Sequence, residues 1–150
     1  RDDLEISKES LKEKMTEGYF DLLDFDLLYK NISVIKDKTK DMKLIKEREF
    51  IMLSSPQEMG YMSKSKQDSN AKDRKDNSLI IQGIVDLFAL GEKIVLIDYK
   101  YTSCQNDEIL KERYSRQIEL YSLALSKAFG GKEIDKYLLS LKEGHLIKLN

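Results

Sequence analysis

The sequence contains one cysteine, one proline, one histidine and no tryptophan, and these scarcities exclude much. Cys104 alone cannot close an intrachain disulfide, and it cannot build a Cys-based zinc or iron–sulfur site, which needs several thiolates. A reducing, cytoplasmic setting is expected. No apolar run approaches the ~18 residues of a bilayer-spanning helix, and no apolar signal-like segment opens the chain, so neither membrane insertion nor secretion is expected. The chain opens on Arg1 rather than Met, so a piece of a longer protein is the expectation. An excess of one charge is also missing. Twenty-six basic residues stand against twenty-seven acidic ones, a net charge of −1. Nucleic-acid binding depends on neutralising phosphates, so any such grip must be local or supplied by another part.

What is present suits one soluble domain: 150 residues, 41% hydrophobic and 35% charged. From Ser7 to about Lys30 apolar residues recur at helical spacing, with Leu11 and Met15 first, then Leu23, Leu27, Leu28 and Ile32. Two core-facing amphipathic helices fit, the first capped by Ser7 and ended by Gly18, the second capped by Asp21 or Asp24. Leu44–Leu53 reads as a strand that Pro56 stops. Residues 63–78, SKSKQDSNAKDRKDNS, hold only Ala71 as an apolar side chain and are expected to form a mobile, solvated loop. Lys72, Arg74 and Lys75 could touch a phosphate backbone from it. Leu79–Leu90 and Ile94–Lys100 are rich in β-branched residues and joined by Gly91-Glu92-Lys93, a hairpin signature. About Asp107 to Phe129 reads as a helix with Tyr114, Ile118, Tyr121, Leu125 and Ala128 on one stripe, ended by Gly130-Gly131. IDKYLLSL and HLIKL predict two closing strands.

The hairpin carries the chemistry. Each of its apolar strands contains an aspartate where packing favours a hydrophobe, Asp86 and Asp98, and a buried carboxylate is costly unless paired, hydrogen-bonded or bound to a metal. A three-residue loop sets Leu90 opposite Ile94 and therefore Asp86 opposite Asp98, with Lys100 on the same face. Two opposed carboxylates repel, and oxygen ligands favour magnesium or manganese between them. A two-residue loop would put the aspartates on opposite faces unless a bulge restored the parity. Asp, Asp and Lys together suit phosphodiester hydrolysis. A metal acidifies water and neutralises charge developing on phosphate, and the lysine orients that water or accepts its proton. The plainer alternative is an edge-strand ion pair of Asp98 with Lys100, with Asp86 capping a bend. On the long helix, Gln117 and Tyr121 lie one turn apart on the same face. They either complete the core's edge or face the hairpin's polar cluster.

In this order, IIQGIVDLF ending its motif on Asp86, IDYK with Asp98 and Lys100, and QIELY with Gln117 and Tyr121 resemble the RecB-family nuclease module of the PD-(D/E)XK superfamily. The resemblance is closest to the C-terminal nuclease domains of AddA-type helicase/nucleases, from the AddAB recombination enzymes. Upstream, KEREF resembles the family's E-x-P-F strand, with Glu47 in the glutamate's place and Glu49 where proline is usual. The resemblance runs from about Ile45 to Leu149.

It implies an α/β (α+β) fold of the restriction-endonuclease-like kind, a central mixed sheet flanked by helices behind an N-terminal helical segment. One nuclease domain would span 1–150, with a helical lead-in over 1–43 and a nuclease core over 44–150. The resemblance further implies a divalent ion, Mg2+ or Mn2+, held by Asp86, Asp98 and the carbonyl of Tyr99. Lys100 would be the catalytic lysine, with Gln117 and Tyr121 lining the site. It implies a DNA exonuclease acting in double-strand-break repair and recombination, fed single-stranded DNA by an ATP-driven helicase motor and paired with an AddB-like second subunit. No G-x-x-x-x-G-K-[ST] string occurs, so ATP binding through such a loop is not expected. Family members usually carry a metal-ligating histidine further upstream. His145, in the last strand, is expected to be a surface residue, so the metal site is expected to be incomplete, and the fragment alone can be inactive for that reason. Cys104 alone excludes the superfamily's iron–sulfur branch. The competing reading is a nuclease-like module that binds DNA or docks a subunit without catalysis.

Overall fold

The computed structural model describes residues 25–58 and 78–150. The element order is α1 (Phe25–Lys38), β1 (Lys43–Ser54), β2 (Leu79–Leu90), β3 (Ile94–Lys100), α2 (Asp107–Ala128), β4 (Ile134–Ser140) and β5 (His145–Leu149). The expected first helix and the polar stretch 63–77 lie outside the described residues. The second helix is described from Phe25 and continues past Lys30 to Lys38, while its expected cap at Asp21 or Asp24 lies outside the described residues. No glycine or proline interrupts it, and Val34 and Ile35 extend the apolar stripe into the core. It stops at Thr39, whose hydroxyl and amide both bond the Ile35 carbonyl, at 2.8 and 3.0 Å, and Asp41 then turns the chain with φ of 60°.

The strands form one mixed sheet in the order β1-β2-β3-β4-β5. All neighbours are antiparallel except β3 and β4, which α2 joins as a parallel crossover. The central strand β3, IVLIDYK, reads as a continuous apolar run because both of its faces are covered. Ile94 and Leu96 join Leu110, Ile118 and Leu125 of α2 on one side, while Val95 and Ile97 join Ile35 of α1 on the other. This is the mixed α+β sheet that the resemblance implies. Truncating a fully buried member such as Ile118 or Leu96 to alanine would cost about 2–5 kcal/mol.

One irregularity shapes the site. Ile45 and Phe50 both pack on the α2 side although they are five residues apart, and so do Val85 and Phe88, three apart. A regular strand would send each pair to opposite faces. The β1–β2 register does not slip: Ile45 opposes Phe88 and Glu49 opposes Ile84. Both strands therefore reverse their pleat together, at the point where the ladder lapses, Glu47 opposite Asp86. Glu47 takes the left-handed region there, with φ of 49°, a conformation unfavourable for a side chain with a Cβ.

Candidate metal and phosphodiester site

The three-residue loop sets the predicted hairpin register, with Leu90 opposite Ile94 and Leu87 opposite Ile97. The ladder ends there, one pair before Asp86 and Asp98. Where the next cross-strand bond would form, the Asp86 carboxylate takes the role of the missing strand acceptor, and the Tyr99 amide donates to its Oδ2 at 2.8 Å. The pleat reversal thus turns Asp86 from a simple face partner into a carboxylate tied to the backbone of β3.

Asp98 is 2% exposed on the α2 side of the sheet. Lys100 Nζ lies 2.9 Å from its Oδ2, an ion pair, yet that buried oxygen receives no well-aligned hydrogen bond. Burial pushes the Asp98 carboxyl up to about 6, the neighbouring Asp86 adds to the rise, and the Lys100 ammonium opposes it. The Tyr99 phenol is pushed up to about 12, by burial first and then by the charges of Asp86 and Glu47.

Opposite the hairpin, α2 supplies the next links. Asn106 caps this helix, its side chain accepting from the Ile109 amide, and the 3.6-residue period then aims Tyr114, Gln117 and Tyr121 at the sheet. Lys100 Nζ donates to Gln117 Oε1 at 2.8 Å, and Gln117 Nε2 donates to the Tyr121 hydroxyl at 2.9 Å. Lys100 Nζ also stands 4.7 Å from the centre of the Tyr114 ring, a cation–π contact. The structure therefore joins Asp98, Lys100, Gln117 and Tyr121 in one polar chain beside Asp86, with Tyr99 between the first two.

Three contributors have no role assigned by the sequence alone. Tyr114 sits three residues before Gln117 on the same helical stripe, a spacing that is visible in the sequence. Phe50 packs edge-on against Tyr121, with ring centroids 5.6 Å apart and planes at 80°. Gly83 makes room for both rings, since a Cβ there would meet Phe50 Cε1 at 2.9 Å and Tyr121 Cε1 at 3.2 Å. His145 stands apart from this group. It lies on the exposed side of β5 and pairs with Asp107 at 3.1 Å.

The donor set suits a hard divalent cation: two carboxylates forced together, one with an oxygen lacking a hydrogen bond, and the backbone carbonyl of Tyr99 between Asp98 and Lys100. Among the described residues no cluster of three or more His, Cys, Asp or Glu side chains gathers for a metal. Asp86 and Asp98 are the two carboxylates that the hairpin brings into each other's field. No helix among the described residues is long and apolar enough to cross a membrane.

Comparison with known proteins points the same way. The sequence profile of the PD-(D/E)XK nuclease superfamily matches residues 9–148. The A subunit of an ATP-dependent helicase/nuclease from Lactococcus lactis subsp. lactis (strain IL1403) is 40% identical over 103 residues, 66% of this chain and 7% of that protein. An exonuclease/helicase subunit RexA of Lactococcus lactis subsp. cremoris (strain MG1363) is 39% identical over 103 residues, with the same coverage of both. The A subunit of an ATP-dependent helicase/nuclease from Clostridium botulinum (strain Loch Maree / Type A3) is 42% identical over 77 residues, 51% of this chain and 6% of that protein. The matched stretches thus amount to less than a tenth of the length of these relatives.

Proposed function

Because the chain belongs to the PD-(D/E)XK nuclease superfamily, we propose that it is the nuclease unit of an AddA-like helicase/nuclease, hydrolysing DNA phosphodiester bonds in double-strand-break repair and recombination. The observation that carries this reading is the contact chain from Asp98 through Lys100 and Gln117 to Tyr121, with Asp86 beside it. Members of the superfamily generally use divalent metal ions. Here Asp86, Asp98 and the Tyr99 carbonyl would hold Mg2+ or Mn2+, which when bound acidifies water and screens the charge that develops on phosphate.

The chain's own residues supply the rest. Asp98 and Gln117 hold the Lys100 ammonium from two sides, and the Tyr114 ring limits its swing. So held, Lys100 can orient the attacking water or hydrogen-bond a nonbridging phosphate oxygen without first losing side-chain freedom. Gln117 keeps its carbonyl oxygen toward Lys100 because its amide nitrogen is committed to Tyr121. Such a unit need not attract DNA by itself. A helicase motor elsewhere in the parent protein would deliver a single-stranded end, in a cytoplasmic assembly with an AddB-like subunit.

The test is hydrolysis of single-stranded DNA with Mg2+ or Mn2+, by this chain and by the same chain joined to an upstream histidine-bearing helix. Asp98→Ala and Lys100→Ala are each expected to lower kcat/KM at least a hundredfold in whichever form is active. If neither parent form cuts faster than background, or faster than either variant, a non-catalytic DNA-binding or docking module is the better reading.

A further inference from the structure

Just past Lys100 the chain leaves β3, and the first side chain beyond the strand is a tyrosine. Tyr101 is 74% exposed, the one described aromatic ring that stands mainly in solvent, since the others are buried or partly buried. It sits at the carboxyl end of β3, which runs parallel to β4, and ligands of such sheets bind outside the carboxyl ends of their parallel strands. Consecutive Cα atoms are ~3.8 Å apart, so the Tyr101 Cα lies within about 7.6 Å of the Tyr99 Cα. Tyr99 offers one of the oxygens of the candidate metal centre. A ring two residues further on therefore reaches the bases that flank a phosphate held there.

The ring is held in place from one side only. Lys142 Nζ stands 4.9 Å from its centre, a cation–π contact, and also donates to Ser103 Oγ at 3.2 Å. The backbone around it is tied down as well: the Leu141 amide donates to the Lys100 carbonyl at 2.9 Å, and the Cys104 amide donates to Thr102 Oγ1 at 3.2 Å. With the ammonium over one face and most of the residue in solvent, the other face is open. The two rings nearer to Lys100 are already committed. Tyr114 faces the Lys100 ammonium, and Tyr121 packs on Phe50 and accepts from Gln117. An exposed, immobilised aromatic face beside a basic side chain is what an unpaired base stacks on, whatever its sequence.

We propose that Tyr101 is a stacking platform for one base of a single strand, next to the nucleotide whose phosphate the metal centre would take, with Lys142 bracing the ring from behind. The subsite rests on the nuclease function proposed above for its choice of ligand. It gives a nearly uncharged chain a grip on the strand that does not depend on net charge, and it favours unpaired bases, whose faces are free to stack.

The chain has no tryptophan, so Tyr101→Trp places a single reporter at the subsite. Titrated in Ca2+ with a short oligothymidylate, its emission should fall at least twofold and saturate, while an abasic strand of the same length and charge should leave it near its starting value. No change with oligothymidylate, or an equal fall with both strands, overturns the proposal. Cleavage supplies a second readout in whichever form of the chain cuts single-stranded DNA. Tyr101→Ala should raise KM at least fivefold, with the larger part of the loss in KM rather than kcat, and Tyr101→Phe, which keeps the ring, should restore it. A parent that cuts DNA while Tyr101→Ala keeps its KM overturns the subsite and leaves the nuclease centre standing. A parent that cuts nothing, with emission still quenched by the base-bearing strand alone, overturns the nuclease centre and leaves the stacking platform.

Discussion

At the scale of single residues, Gly83 decides how the site can be built. The glycine was legible in the stretch IIQGIVDLF, but its purpose was not, because it depends on two rings, from β1 and α2, meeting above it. In Gly83→Ala the new methyl would press on Phe50 and Tyr121, a cost of about 1–3 kcal/mol for overpacking. Tyr121 would shift and release Gln117, so kcat should fall at least tenfold while circular dichroism stays native. Unchanged kcat would show that the Tyr121 ring does not position the lysine. Asp98 was legible as an odd carboxylate in an apolar strand, whereas its elevated pKa arises from tertiary burial, which composition does not show. Its folded value of about 6 stands above the ordinary 3.8. In the absence of divalent ions the associated stability is fully present below about pH 4, declines as pH rises toward 6, and is level above that. Protons also compete with a metal for this carboxylate, so apparent Mn2+ affinity should drop about tenfold per pH unit below 6. Calorimetric titrations at pH 5, 6 and 7 check both the sign and the window.

At the scale of elements, the β2–β3 hairpin was the most legible part of the chain. Two β-branched runs and a three-residue loop specify a register on their own, and that register appears from Leu87 to Leu90. The reversal of pleat at Glu47 and Asp86 was not legible. No glycine marks the left-handed position, and the coincidence of two strands flipping together has no local signature in either. Helix α1 runs beyond its expected end for the opposite reason: the stop at Thr39 is a side-chain and backbone closure onto Ile35, with no glycine or proline to announce it. This helix is fastened to the β4–β5 turn by Asn31, whose buried amide donates to the Leu141 carbonyl at 2.8 Å, and by Lys30, lying where a side chain on Gly144 would be. Asn31→Ala should therefore cost about 1–3 kcal/mol, the penalty for leaving a buried acceptor without its donor. Chemical denaturation checks this, with a lower midpoint and an unchanged slope. A midpoint equal to the parent's would mean that water replaces the amide.

At the scale of the whole molecule, the near-neutral charge, which taken alone counts against nucleic acid, fits a catalytic unit to which the strand is brought. One sheet sandwiched between helices brings residues as distant in sequence as Asp86 and Tyr121 to one edge, and that convergence was legible only through the resemblance. Spacing alone left the helix pair Gln117 and Tyr121 equally suited to packing. The measurement that bears most directly on the proposed centre is single-stranded DNA cleavage as a function of Mn2+ concentration, comparing the parent with Asp98→Asn and Lys100→Met. If Asp98 holds the ion and Lys100 acts on the reacting groups, Asp98→Asn should move the half-activating Mn2+ concentration up at least tenfold. Lys100→Met should depress the plateau a hundredfold or more without raising that concentration. Identical curves for all three proteins would contradict a metal-dependent nuclease centre at these residues.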